Sequence, residues 1–309
     1  MSADILCFGE PMLEFNQQPV GPDGRRLYLE GFGGDASNAA IAAARSGAKV
    51  AMLTALGEDR AGAAFRELWR ADGVDDSAVA TDPEAPTGIY FVTHDAAGHH
   101  FTFHRKGSAA ARLGPARLPE DAIRAARVLH VTGITLGISD ASCDAAFRAM
   151  ELSRAAGGLV SFDTNLRLRL WPLTRARACI QAAIAQADIV FPSIEDATAL
   201  TGLTDPDAIT DAYLALCPLV LLKLGAEGVL LATREHRQRI PGFRVQAVDA
   251  TGAGDTFAGA FLARRAQSDG LEDSARYANA AAALSTLGYG AVAPIPRAAE
   301  VRAFLASRG

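Results

Sequence analysis

Val128-Leu129-His130-Val131-Thr132-Gly133-Ile134-Thr135, an Ala-rich stretch over 140–156, and then Leu159-Val160-Ser161-Phe162-Asp163-Thr164-Asn165 decide the fold. Two short apolar runs rich in β-branched residues flank a segment of helical length, which reads as a βαβ unit. The rhythm extends in both directions. Strands are expected at 5–8, 50–56, 188–192 and 219–224, and helices starting near Asp35, Arg60, Thr174 and Ile194. Near-continuous apolar strands of this kind belong to a mostly parallel sheet with helices on both faces. One section departs from the pattern: 87–94 and 99–105 alternate like strands around Asp95-Ala96-Ala97-Gly98, which reads as a hairpin. With the irregular polar stretch at 10–32 it is expected to form a small antiparallel sheet standing off the main body. No Pro/Gly/Ser-rich linker and no internal repeat interrupts the chain, so a single domain over 1–309 is expected, with an excursion at about 10–32 and 87–106.

The chain has 309 residues, half of them hydrophobic, and a formal net charge of −5. Scattered cations in an acidic chain argue against nucleic-acid or membrane-surface partners and for small molecules. No apolar run approaches the ~20 residues of a membrane helix, and no leader pattern opens the sequence. Cys7, Cys143, Cys179 and Cys217 are far apart with no Cys-x-x-Cys pair. Neither a disulfide framework nor a zinc site follows, and reduced thiols in a cytoplasm are the expectation.

Asp249-Ala250-Thr251-Gly252-Ala253-Gly254-Asp255 runs directly into Thr256-Phe257-Ala258-Gly259-Ala260-Phe261. A small-residue turn opening a helix exposes backbone N–H groups without intrahelical partners, which attract phosphate. A site that only bound anions would avoid a carboxylate there, so Asp255 implies proton chemistry beside a phosphate. Alone, the segment would read as an ordinary Gly-rich loop capping a helix, with Asp255 a favourable first-turn acid. Gly33-Gly34-Asp35-Ala36-Ser37-Asn38 opens another helix, with Asn38 offering donors and acceptors to hydroxyls. Its overlap with a dinucleotide fingerprint lacks the buried preceding strand which that motif needs. Leu222-Lys223-Leu224-Gly225-Ala226-Glu227-Gly228 reads as a Gly-flanked hairpin able to lie against a base or phosphates. Asp163, Asn165 and Arg167 end a strand, where ligands of open α/β sheets bind. Arg105 and Arg167 together make a pair suited to a planar carboxylate. His100 and His104 would lie about 13 Å apart on one strand face, too far to share a metal ion. No Gly-x-x-x-x-Gly-Lys-[Ser/Thr] motif is present.

The two glycine-rich segments, in this order and separated by about 200 residues of βα rhythm, resemble the signatures of the ribokinase-like (PfkB) carbohydrate kinases. Further matches along nearly the whole chain are similar to one branch, the 2-keto-3-deoxygluconate kinases. They are Gly9-Glu10-Pro11-Met12, Thr87-Gly88-Ile89-Tyr90, His104-Arg105-Lys106-Gly107-Ser108-Ala109, Thr132-Gly133-Ile134, and Asp163-x-Asn165-x-Arg167 followed by Leu170-Trp171. The resemblance implies a ribokinase-like α/β three-layer fold, with the small sheet as a substrate lid and as the contact of a homo-oligomer. It implies transfer of the ATP γ-phosphoryl to a primary hydroxyl of a keto-deoxy sugar acid, with Asp255 as base and Gly252, Ala253 and Gly254 as anion hole. Gly34, Asn38, Tyr90, Arg105, Ile134 and Arg167 would meet the sugar acid. Asn165, Ser193, Lys223, Gly225, Gly228 and Asn279 would meet the nucleotide. Ser193-x-x-Asp196 stands in place of an Asn-x-x-Glu element, so Asp196 is the candidate to hold Mg²⁺ through water. A monovalent cation such as K⁺ is an additional candidate cofactor. Phe103 stands where some members have Tyr, and Ala291 where some have Asp. A fructokinase, for which the 163–172 segment also speaks, and a nucleotide-binding sensor without turnover are the alternatives.

Overall fold

The computed structural model describes residues 3–95 and 98–308. The first half of the chain forms β1 (Ile5–Phe8), β2 (Met12–Gln17), β3 (Tyr28–Gly33), α1 (Asp35–Arg45), β4 (Val50–Gly57), α2 (Arg60–Asp72), β5 (Val74–Asp75), β6 (Val79–Asp82), β7 (Gly88–Asp95), β8 (Gly98–His104), α3 (Glu120–Ala125), β9 (Val128–Thr132), α4 (Gly133–Gly137) and α5 (Asp140–Ala155). The second half forms β10 (Leu159–Asp163), α6 (Leu173–Ile184), β11 (Ile189–Phe191), α7 (Ile194–Thr201), α8 (Pro206–Leu214), β12 (Leu219–Lys223), β13 (Gly228–Ala232), β14 (Arg237–Pro241), α9 (Ala253–Ala266), α10 (Leu271–Ser285) and α11 (Ala298–Ala306).

The main sheet runs β14-β13-β12-β11-β10-β9-β1-β4-β5, with β6 also on β4. Pairings from β12 through β11, β10, β9 and β1 to β4 are parallel, and β13 and β14 add an antiparallel edge. Side-chain alternation along each strand loads both faces. Leu6, Phe8, Leu129, Val131, Val160, Phe162, Val190 and Val220 pack into one core with α5, α6 and α8. Ile5, Cys7, Val128, Ile189, Phe191 and Leu221 pack into the other with α1, α2, α9 and α10. Helices therefore cover both faces, giving the expected three layers. No helix among the described residues is long and apolar enough to cross a membrane.

A second sheet, β3-β2-β7-β8, stands beside the carboxyl end of β1. Its outer pairs are antiparallel and its central β2–β7 pair is parallel. The tip residues Ala96 and Ala97 of the expected hairpin lie outside the described residues. β3, which precedes the glycine pair of α1, is a largely exposed strand of this sheet, the wrong setting for a dinucleotide fingerprint. Asp59 clips the second sheet to the first: it caps α2 through the Gly62 amide (2.7 Å) and accepts from the Thr87 amide (2.7 Å) at the start of β7.

Candidate active site

Between the second sheet and the carboxyl ends of β1, β9 and β10 lies a cavity of about 420 Å³. Strand order reverses there, since β1 is flanked by β9 on one side and β4 on the other. Open α/β sheets bind ligands at such a reversal. A larger groove of about 730 Å³ lies at the opposite, amino-terminal ends of the strands. Its acids already have internal partners: Asp4 pairs with Arg127, and Asp188 with Arg154 and the Val160 amide.

Gly34, Asn38, Tyr90, Arg105, Ile134, Asn165, Arg167, Gly252 and Asp255 all line the smaller cavity. Asp255 is the third residue of α9, whose N-cap Gly252 takes φ 75°, a left-handed turn that glycine adopts without strain. α9 rests directly on α1, and at the contact a Cβ on Gly259 would lie 2.2 Å from the Ala39 carbonyl oxygen. That close approach brings Asn38 Nδ2 to 2.9 Å from Asp255 Oδ2. Asn165 Nδ2 lies 3.4 Å from Asp255 Oδ1. Burial, reinforced by the neighbouring Asp35 carboxylate and opposed by the Asn38 hydrogen bond, pushes the Asp255 pKa up to about 7. A carboxyl poised there accepts a proton efficiently near neutral pH.

Lys223, at the end of β12, donates to Asp163 Oδ2 at 2.6 Å, with little of either side chain exposed. A Cβ on Gly254 would lie 3.2 Å from Lys223 Nζ, so the ammonium faces the first turn of α9. Helix dipole and ammonium converge on one space, an arrangement suited to phosphate. Beneath it, His130 accompanies Ser161 Oγ at 2.9 Å. Burial, then Lys223, drives its pKa down to about 3, so it stays neutral.

The remaining nucleotide-side candidates are engaged in the scaffold. Ser193 Oγ caps α7 through the Asp196 amide at 3.0 Å. Asp196 Oδ2 accepts from the Leu166 amide (3.0 Å) and Thr164 Oγ1 (3.2 Å). Burial raises its pKa. Asn279 donates to the Ile240 and Pro241 carbonyls, each at 3.1 Å, bracing β14 against α10. Gly225 and Gly228 form the turn after β12. No cluster of three His, Cys, Asp or Glu among the described residues is arranged to hold a metal. One half-buried carboxylate beside a phosphate site still fits Mg²⁺, which keeps several waters and takes few protein ligands.

Arg105 and Arg167, the pair expected from the sequence, both line the cavity, but each already has a partner within the protein. Arg105 pairs with buried Glu10, whose other oxygen accepts from Ser108 Oγ at 2.8 Å. Arg167 is exposed and donates to the Leu166 carbonyl at 2.9 Å. The Tyr90 hydroxyl likewise donates to Glu14 within the second sheet. Glu10 and Glu14 are the buried carboxylates that intercept these two donors. Glu10 was visible only as part of a matching segment, and sequence spacing gave no sign that it would meet a residue 95 positions away. Asp35, expected from the sequence only as the start of a helix, also lines the cavity.

Removing one member of the Glu10–Arg105 pair should strand a buried charge. Arg105→Gln is expected to cost roughly 3 kcal/mol of stability. The Glu10→Gln/Arg105→Gln double variant should recover much of that, as measured by urea unfolding at pH 7.

The pfkB family carbohydrate kinase model matches residues 2–298. Fructokinase-1 of Oryza sativa subsp. japonica is 36% identical over 310 residues, covering 96% of each chain. A fructokinase from Xylella fastidiosa with bound ATP superposes with a TM-score of 0.89 at 28% identity, covering 98% of each chain. A fructokinase double mutant from Vibrio cholerae O395, in a fructose-, ADP- and potassium-bound form, superposes at 0.87 with 30% identity over 99% of each chain. The α/β layers, the site at the strand reversal and these likenesses together make the chain a member of the pfkB family of carbohydrate kinases.

Proposed function

We propose that the protein transfers the γ-phosphoryl group of ATP to a primary hydroxyl of a free sugar, with a neutral ketohexose such as fructose as substrate. The observation that carries the reaction type is Asp255: a carboxyl with pKa raised to about 7, set at a phosphate-attracting helix start on the cavity wall. The sugar hydroxyl loses its proton to Asp255 as it attacks. The Gly252–Gly254 amides and Lys223 stabilise the charge on the group in flight. Mg²⁺, held through water by Asp196 and by the phosphates, would neutralise negative charge on the nucleotide. K⁺ joins the proposal because the Vibrio cholerae fructokinase binds it. The second sheet acts as the lid, its Tyr90, Phe101 and Phe103 covering the cavity and excluding water that would otherwise hydrolyse ATP.

The preference for a neutral sugar over 2-keto-3-deoxygluconate rests on two supports. Arg105 is already neutralised by Glu10, and the relatives are named fructokinases. The sugar-acid reading keeps one support: Lys106, Arg167 and Arg169 line the cavity, and among the described residues no salt bridge engages them.

Coupled ADP-release assays with fructose, glucose, ribose and 2-keto-3-deoxygluconate decide between them. The expected result is a kcat/KM for fructose at least about tenfold above that for the sugar acid, the margin one charged hydrogen bond confers. The opposite preference restores the sugar-acid kinase. Tight ATP binding without turnover of any sugar would make the protein a sensor.

A further inference from the structure

Asn165 has φ 29°, one of two non-glycine residues with positive φ among those described. An L-residue held there carries backbone strain, and such strain persists only where the surroundings over-determine it. They do so here. Its own amide lies 3.3 Å from Asp163 Oδ1. The flanking Thr164 hydroxyl and Leu166 amide are both held by Asp196 Oδ2. The consequence of this clamping is the position of one carboxamide: Nδ2 lies 3.3 Å from Asp35 Oδ2 and 3.4 Å from Asp255 Oδ1. An amide nitrogen has two hydrogens, one for each carboxylate.

Asp35 is itself fixed. Its Oδ2 accepts from the Thr132 hydroxyl. Arg105 and Arg167 act on it electrostatically from the cavity side. Around Asp255 the charged groups are Asp35, Asp163 and Lys223, with Asn38 and Asn165 as neutral donors.

We propose that Asp35, acting through the Asn165 carboxamide, is the positioning residue of the catalytic base: it fixes the amide that orients Asp255 and lies beside it as a second buried carboxyl. Asn165 thereby serves the base. The proposal rests on Asp255 being that base. Burial raises both carboxyls, and Asp35 stands second among the causes for Asp255. Two carboxylates this close titrate as a pair. Catalytic hydrogen bonds of this length tighten in the complex with substrate.

The test has two arms. The first follows Asp carboxyl ¹³C shifts against pH in the wild type and in Asp35→Asn, with Asp255→Asn assigning the signal. It needs no turnover, so it stands even if no sugar is phosphorylated. The Asp255 midpoint should fall in Asp35→Asn. The acidic limb of kcat/KM on the accepted sugar should move with it, raising the ratio of rates at pH 6 to pH 8 about fivefold for a midpoint lowered by one pH unit. An unmoved midpoint overturns the proposal.

The second arm is Asn165→Gly, which relieves the backbone strain while removing the amide. Melting temperature should hold or rise, kcat should fall about 10- to 100-fold through misplacement of the base, and KM for ATP should stay put. A fall in melting temperature with kcat preserved, or a raised KM for ATP with kcat preserved, overturns it. If Asp35→Asn fails to fold, this second arm decides alone.

Discussion

Asp255→Asn is expected to lower kcat by about 10²- to 10⁴-fold, the usual contribution of a positioned general base, while leaving KM for ATP within a few-fold. The same variant should alter stability in a pH-dependent way whose sign follows from the raised pKa. The native Asp255 carboxyl holds its proton up to about pH 7, whereas the ordinary value is 3.8. The native state therefore binds the proton more tightly than the unfolded chain, and stability falls as pH rises from the ordinary value to about 7. Above that the penalty is constant. Asparagine removes it, so the variant should be more stable than wild type at pH 8, by about 1 to 3 kcal/mol, and indistinguishable near pH 3. Chemical denaturation at the two pH values measures this. In wild type the acidic limb of the rate profile should fall near pH 7. A folded variant with wild-type turnover would remove Asp255 from the mechanism.

Gly254→Val should reduce kcat by about 10²- to 10³-fold, the cost of disabling an anion-stabilising donor set. Its Cβ would press on the Lys223 ammonium from 3.2 Å, and the branched side chain would occupy the space where Lys223 and the α9 N-terminus converge. Lys223 has a flexible stem and can yield, so the melting temperature should change little. Nucleotide affinity should change less than turnover, because on the proposed reading this turn meets the phosphoryl group in flight. Calorimetric titration with ADP, beside steady-state kinetics, separates the two quantities. Loss of ADP binding in parallel with kcat would place the turn in ground-state binding instead.

Much of this architecture was legible because its signals are local. The apolar runs that became β1, β4, β9, β10, β11 and β12 lie close to their expected positions, since a strand buried on both faces needs an unbroken apolar stretch. The second sheet was legible in its elements but less so in its pairing. β2 and β7 are parallel neighbours joined through most of the first hundred residues, and no local pattern announces such a partner. Asp255 was readable from its glycine turn. Arg105 was readable as a cavity candidate, but its engagement with Glu10 was not, because a pairing between the β1–β2 connection and the end of β8 is a property of packing rather than of spacing. Asp35 shows the same limit: a helix-capping acid and a buried acid beside a base have the same local sequence. Ser193, Asp196 and Asn279 matched family positions, and only their hydrogen bonds show how far each is occupied by the scaffold.

The Asn38–Asp255 contact joins residues 217 positions apart. During synthesis the amino-terminal half of the cavity is made while the helix carrying the base does not yet exist, and closing so long a loop carries a heavy entropic cost until α9 docks on α1. On the proposed reading, an emerging chain therefore has the amino-terminal side of its sugar pocket before the residue that would accept the hydroxyl proton. The site would then become competent only once α9 has been made and has docked on α1.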